Sequence, residues 1–407
     1  MKIVVVGLQW GDEGKGKVVS HFSRKFDWIV RYSGGSNAGH TVHMDGKKYV
    51  NHLLPCVDPR GKSKGYLGPG MVLNLERLVN EIESLERIFP GISKRFYLDL
   101  NATLVLSWHI VEDELIENMR MNPIGTTKNG IGPAYKDKVS RDGIKLYHLF
   151  DESSLSSKLE ELYHLKTRFF GENLEKPESL KRRLLEDLEK LGTMGVKFTT
   201  TMDMRKEFEG SKILFEGSQG VLLDVNFGTY PYVTSSSCTS WGIFEGFQFL
   251  KIDETIGVFK AYVTRVGNGP FPTEMEDQLE DTIRRKGMEY GATTGRPRRI
   301  GWLDLPALRY SIISSSVSKL VLTKADVLNG LDRLKICTQY EVEGELKEIP
   351  TTPEDFEKAK PVYREIDGWK DLKDGKFEEF VRMVETELRI KINYVSYGPG
   401  SDEIFER

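Results

Sequence analysis

The chain opens on an unbroken apolar run, "KIVVVG" (2–7). β-branched residues without polar alternation predict a parallel strand covered on both faces. Later runs carry the same pattern: "WIVRY" (28–32), "KILFEG" (212–217), "ETIGVFKAYV" (254–263), "KLVLTKAD" (319–326) and "INYVSYG" (392–398). Beyond the first run comes a glycine-rich turn, then Val18, Val19, Phe22 and Phe26 at roughly helical spacing. Strand, glycine loop and helix form the opening of a nucleotide-binding α/β unit. Helical patterns between the later runs predict an α/β fold with a large, mainly parallel central sheet. Between 153 and 191 the pattern changes. Leu155, Leu159, Leu162 and Phe169, then Leu184, Leu185, Leu188 and Leu191, mark two amphipathic helices separated at Gly171 and Pro177. Residues 1–407 read as one domain, with a helical subdomain at about 150–210 that packs on the sheet and carries no site of its own.

Glycines cluster at 33–39, 125–132, 217–220, 291–301 and 398–400. In an open α/β sheet the loops beyond the carboxyl ends of the strands build the ligand site, so one crevice lined by these loops is expected. Charge narrows the partners. Fifty-eight basic and 61 acidic side chains leave a net charge of −3, too balanced for the overall field to recruit nucleic acid or a membrane. Anions must be bound by local clusters. Cys56, Cys238 and Cys337 are far apart and odd in number, which argues against a disulfide framework and for a reducing cytoplasm. No apolar run approaches the roughly 18–20 residues that cross a membrane. The first seven residues are too short for the apolar region of a signal peptide plus its cleavage site.

The first loop, "GDEGKGK" (11–17), matches the spacing of a phosphate loop, Gly11-x4-Gly16-Lys17. Its backbone amides and the following helix start can cradle phosphate oxygens, and Lys15 and Lys17 add charge. The hydroxyl residue that would hold Mg²⁺ is replaced by Val18. Asp12 offers a substitute, either as a hard oxygen ligand for Mg²⁺ or as a base toward a substrate proton. In "RYSGGSNAGHTVH" (31–43), His40 sits among glycines with little core to fill and suits a proton donor. His43 and His52 lack a third close ligand for zinc and read as structural. Polar tips after strands offer the amide of Gln219 and the hydroxyl of Thr234, groups that suit a neutral base or ribose. In "GATTGRPRRIGW" (291–302), Arg296, Arg298 and Arg299 fall within four residues confined by glycine and proline. Such guanidiniums pair with carboxylates or phosphates. "LVLTKADVL" (320–328) ends an apolar strand on Thr-Lys-x-Asp, where Asp326 can accept the N1–H and 2-amino donors that guanine has and adenine lacks. A GTP-driven regulatory switch would share the phosphate loop and this turn, but has no use for Asp12, His40 or the arginine loop.

With "QWGDEGKGK", "GGSNAGHT", "IGTTKNGIGPAY", "FEGSQG", "GTYPYVTSS", "TRVGNGPFPTE", "GATTGRPRRIGWLD" and "TKADVL" in order along the chain, the sequence resembles the adenylosuccinate synthetase family. The resemblance implies joining of IMP and L-aspartate with GTP as co-substrate and Mg²⁺ as cofactor, by way of 6-phosphoryl-IMP. It implies Asp12 as base and His40 as acid, with Lys15 and Gln219 also catalytic, and Asp12 and the Gly39 carbonyl as metal ligands. Gly11, Asp12, Glu13, Gly14, Lys15, Gly16 and Lys17 would hold GTP with Gly39, His40, Thr41 and Arg298. Lys324, Ala325 and Asp326 would hold its guanine with Ser396, Tyr397 and Gly398. IMP would meet Asp12 to Lys15, Asn37, Ala38, Gly39, His40, Thr127, Gln219, Thr234 and Arg296. The loop of Ala292, Thr293, Thr294, Gly295, Arg296, Pro297 and Arg298 would bind aspartate. Arg141 would reach the IMP site of a neighbouring subunit, which implies a homodimer. The segment 238–254 departs from the family's glycine- and threonine-rich pattern, and Ala325 stands where leucine is expected.

Overall fold

The computed structural model describes residues 1–44, 46–171, 173–275, 278–291 and 295–407. All six apolar runs become strands of one ten-stranded sheet. Its order across the sheet is Ile404–Glu406, Ile392–Ser396, Lys319–Thr323, Glu254–Lys260, Lys2–Gly7, Ile213–Glu216, Trp28–Arg31, Lys64–Leu67, Phe96–Asp99 and Lys197–Thr199. Neighbours pair in parallel throughout, apart from the antiparallel edge strand Ile404–Glu406. Burial explains the unbroken apolar patterns: Val4, Val5 and Val6 are all inaccessible, with helices or loops on both faces.

Two expected strands stop three residues short. "ETIGVFKAYV" divides after Lys260, and Val263–Arg265 leaves the sheet to pair antiparallel with Arg299–Gly301. "KLVLTKAD" ends at Thr323, because Lys324 takes a left-handed conformation (φ 57°) that no strand accommodates and Ala325–Leu328 turns as a short helix. Phe26 lies past the first helix, Lys15–Ser23, yet stays buried in the connection to the next strand.

The predicted pair of amphipathic helices runs Glu152–Phe170 and Pro177–Thr193. Asp151 caps the first by accepting from Ser153 N and Ser154 N, and Pro177 opens the second where its missing N–H costs nothing. Leu155, Leu159, Leu162, Leu180, Leu184 and Leu191 belong to the same apolar cluster as Val5, Ile29 and Leu98 of the sheet. A four-stranded sheet built on Arg333–Val342 stands beside the large one. The segment 238–254 folds as a short helical turn, Ser240–Glu245, and contributes Ile243, Phe247 and Leu250 to the core.

Strand Lys2–Gly7 lies between Ile213–Glu216 and Glu254–Lys260. From it the chain first builds the sheet outward on one side, returns at residue 213, then builds the other side. Crevices open at the carboxyl ends of strands where the winding reverses. The loops at 8–14, 32–39, 217–220, 324–326 and 397–400 all leave strands at that edge.

Candidate functional site

The phosphate-type loop is held from within. Gly11 and Gly14 both have φ 89° and Asp12 has φ 60°, so the chain turns back on itself before the helix. That helix starts at Lys15 without a side-chain cap, leaving its first amides available to an anion. Glu13 is wholly buried and turns inward. Its Oε1 accepts from Gln9 N and Gly11 N, each at 3.0 Å, and its Oε2 pairs with Lys15 Nζ at 2.8 Å. The second carboxylate of the loop therefore shapes the loop and neutralises a buried lysine. Close approach is possible because Gly220 has no side chain; a Cβ there would stand 2.1 Å from the Gln9 carbonyl. Thr323 Oγ1 donates to the Glu13 carbonyl at 2.7 Å, tying this loop to the strand before the Thr-Lys-x-Asp turn.

Lys17 is tied to a neighbouring turn. Its ammonium donates to the carbonyls of Tyr397 (2.6 Å), Gly398 (3.0 Å) and Glu403 (3.1 Å). Burial lowers its pKa to about 8, against the pull of Glu403 and Asp326. The side chain thus fastens the 397–403 turn beside the phosphate loop. Ser396 is buried at the end of its strand, with Tyr397 and Gly398 exposed after it.

His40 begins the strand His40–Met44 and packs at the end of Ile213–Glu216. Its Nδ1 is bound to Glu216 Oε1, and Glu216 Oε2 accepts from Cys56 N at 2.8 Å. Burial pushes the carboxyl of Glu216 up, but the charge and hydrogen bond of His40, together with Arg31 and the Cys56 amide, hold it below the ordinary range. Burial also lowers the His40 pKa, with Glu216 opposing. The carboxylate is therefore the ionised member and Nδ1 donates to it, while a second proton, on Nε2, would make the imidazolium that a proton donor needs. The Cys56 sulfur is 3.8 Å from Nδ1, and burial pushes that thiol well up, so it stays protonated. His52 Nδ1 bonds the Ala38 carbonyl at 2.7 Å and braces the loop before His40.

Around these groups stand polar atoms without protein partners among the described residues. They include both amide atoms of Gln219, whose φ is 43°, the Asn37 carbonyl oxygen and Asp326 Oδ1. Orphaned buried groups of this kind call for a ligand or water. Asn37 Nδ2 donates to Thr234 Oγ1 at 3.3 Å, so two loops nearly 200 residues apart meet. Asp326 Oδ2 accepts from Gly398 N at 3.0 Å, leaving its other oxygen open. Lys324 Nζ bonds the Gly287 carbonyl at 2.7 Å and Glu289 at 2.9 Å. Arg298 reaches Asp12: its Nε is 2.8 Å from Asp12 Oδ2.

Thr127, Gly295, Arg296 and Pro297 are exposed. Ala292, Thr293 and Thr294 lie outside the described residues. Arg141 is also exposed, in a left-handed conformation (φ 75°) after the helix Ile131–Ser140. Asp12 is half-buried, already accepts a cation in Arg298, and stands at the loop mouth. Its carboxylate and the Gly39 carbonyl are hard oxygen donors of the type Mg²⁺ prefers.

Sequence reasoning missed Glu216 and Glu289. Glu216 left one signal, a carboxylate closing the apolar run "KILF" where a buried strand meets the ligand edge. Glu289 left none, since its partners come from three separate segments.

A mainly parallel sheet bearing a phosphate loop, a guanine-type turn and a histidine–carboxylate pair at one edge defines a purine-nucleotide-dependent enzyme. The chain belongs to the adenylosuccinate synthetase family, whose sequence model matches residues 4–405. An adenylosuccinate synthetase of Petrotoga mobilis (strain DSM 10674 / SJ95) is 55% identical over 405 residues, 99% of this chain and 96% of its own length. One from Thermotoga maritima is 44% identical, with full coverage of both. The structure of fully ligated adenylosuccinate synthetase from Plasmodium falciparum superposes with a TM-score of 0.92 at 34% identity, covering 100% of this chain and 99% of that one. The succinoaminodeoxyadenylate synthetase of cyanophage S-2L, at 21% identity and a TM-score of 0.64, shares the fold.

Proposed function

We propose that this protein joins IMP and L-aspartate to adenylosuccinate, converting GTP to GDP and phosphate through 6-phosphoryl-IMP. The observation that carries the reading is the convergence of Asp12, the His40–Glu216 pair and the open groups of Gln219, Asn37 and Asp326 at one sheet edge.

The O6 oxygen of IMP is a poor leaving group. Asp12 removes the N1 proton, which pushes electron density onto O6 and lets it attack the γ-phosphorus. His40, oriented by Glu216, assists phosphoryl transfer through Nε2. The amine of aspartate then displaces the phosphate at C6. Gln219 and Asn37 hold IMP, with Thr127, Thr234 and Arg296 at its margins. Lys15 and Arg298 meet charge that develops on the transferring phosphoryl. Asp326 accepts the guanine donor pair with its open oxygen. The 292–298 loop takes the aspartate carboxylates. Asp12 and the Gly39 carbonyl would hold Mg²⁺, which neutralises phosphate charge when bound.

The reading extends to a homodimer in the cytoplasm, with Arg141 serving the partner's IMP. Two features support the dimer. Arg141 is exposed, and apolar Val111, Leu115 and Met119 are exposed on the neighbouring helix Ser107–Met119. The test is a steady-state assay of phosphate release and adenylosuccinate formation, omitting IMP, aspartate and GTP in turn. Each omission abolishes both signals; phosphate release from GTP alone would instead fit a switch.

A further inference from the structure

Glu289 is the most heavily neutralised carboxylate near the site, and the mechanism above leaves it unused. It is fully buried. Its Oε1 accepts from Tyr262 OH at 2.6 Å, Lys324 Nζ at 2.9 Å and Lys260 Nζ at 3.2 Å; its Oε2 accepts from Arg298 Nη1 at 2.5 Å. Three cations thus share one buried anion. A structural ion pair needs only one, and every additional buried charge adds desolvation cost. Two of these cations come from opposite ends of the nucleotide site. Lys324 belongs to the guanine-type turn, whereas Arg298 extends to Asp12 at the phosphate loop. The backbone repeats the connection. Arg298 N donates to the Glu289 carbonyl at 3.0 Å, so the two residues face each other at the base of one turn.

We infer that Glu289 is a positioning residue, holding Lys324 and Arg298 at the spacing that the base and the phosphates of one bound guanine nucleotide require. The inference rests on the reading of Lys324 to Asp326 as the guanine site and Arg298 as a phosphate contact. Without a counter-charge buried Lys260 and Arg298 repel each other and half-buried Lys324 beside them. A neutral amide of the same shape preserves the packing and removes that restraint.

The experiment compares Glu289→Gln, and Glu289→Gln combined with Lys260→Met, with the unsubstituted enzyme. The double variant removes the buried lysine that the single change would strand. KM for GTP and the preference for GTP over ATP are measured at saturating IMP and aspartate. In both variants KM for GTP rises and the GTP preference falls, each on the order of tenfold, as for other residues that orient a ligand-binding group. KM for IMP stays unchanged. A lower melting temperature with both GTP quantities preserved overturns the inference, as does failure of both variants to fold, since either makes the role one of stability. Asp326→Ala tests the underlying reading separately. If that variant keeps full GTP preference, the guanine assignment fails, whatever Glu289 does.

Discussion

At the scale of single residues, the site depends on carboxylates doing unlike things. Glu13 shapes a loop, Glu216 orients a histidine, and Asp12 is left half-open beside Arg298. His40→Ala removes the acid, and turnover falls by about 10²–10⁴-fold. Glu216→Gln keeps the volume but weakens the hold on Nδ1, so turnover falls by about 10–100-fold with little change in KM for GTP. Wild-type turnover of the Glu216 variant would show that the ring is oriented by packing alone. Asp304 supports a second prediction, on stability. It caps the helix Leu305–Ser314, accepting from Ala307 N at 3.1 Å and Tyr340 OH at 2.6 Å, yet burial raises its pKa from 3.8 to about 7. Between those values the folded chain keeps the proton and the unfolded chain loses it. Asp304 therefore costs increasing stability as pH rises from 3.8 to about 7, and a constant amount above. Asp304→Asn retains a cap oxygen and cannot ionise. Its melting temperature relative to wild type climbs from pH 4 to about 7 and then levels off; a difference independent of pH would refute the burial argument.

Among the elements, the helix Ser107–Met119 buries carboxylates and exposes apolar side chains. Glu112, Asp113 and Glu117 point inward and are buried, while Val111, Leu115 and Met119 are exposed. The buried acids have work to do. Glu112 pairs with Lys136 and Lys166, Asp113 accepts from Gly130 N at 2.9 Å, and Glu117 accepts from Gly125 N at 2.5 Å and Thr126 N at 3.2 Å. They hold the loop that carries Thr127, so these acids are buried on the inner face beside Trp108 and His109. The outward apolar stripe is the surface the proposed dimer would cover. Val111→Asp with Leu115→Asp gives a monomer in sedimentation, with a melting curve close to wild type and sharply reduced turnover. Mixing an Arg141→Ala chain with an Asp12→Ala chain restores part of the activity in hybrid dimers. A dimer that survives the two aspartates places the interface elsewhere; hybrids without recovery place Arg141 outside the partner's site.

For the whole molecule, strand order does the assembling. Gly11 and Asp326 are more than 300 residues apart, yet Thr323 bonds the Glu13 carbonyl because strands Lys2–Gly7 and Lys319–Thr323 flank the same neighbour. The six main strands, the first helix and the helical pair were legible in the sequence, since fully buried strands and amphipathic helices leave local periodic patterns. Strands such as Lys64–Leu67 and Lys197–Thr199 were not: "KGYL" and "KFT" lack the three consecutive apolar residues that "WIVR" and "ILFE" show at similar length. Asp12, His40 and the Thr-Lys-x-Asp turn announced themselves as polar residues in glycine-rich or strand-end settings. The contacts of Lys17 with the 397–403 carbonyls were not legible, because no local pattern places that turn beside the phosphate loop.

The sequence by itself determined the class of fold, the phosphate and guanine motifs and the identity of the acid and base candidates. All of these are written in neighbouring residues, as periodicity, glycine freedom and side-chain chemistry. Only the folded arrangement reveals which carboxylates are spent inside: Glu13 on its own loop, Glu216 behind His40, Glu289 beneath Lys324 and Arg298. The reason is physical. A buried charge is defined by its partners, and here those partners arrive from strands brought together only when the sheet closes ranks around Lys2–Gly7.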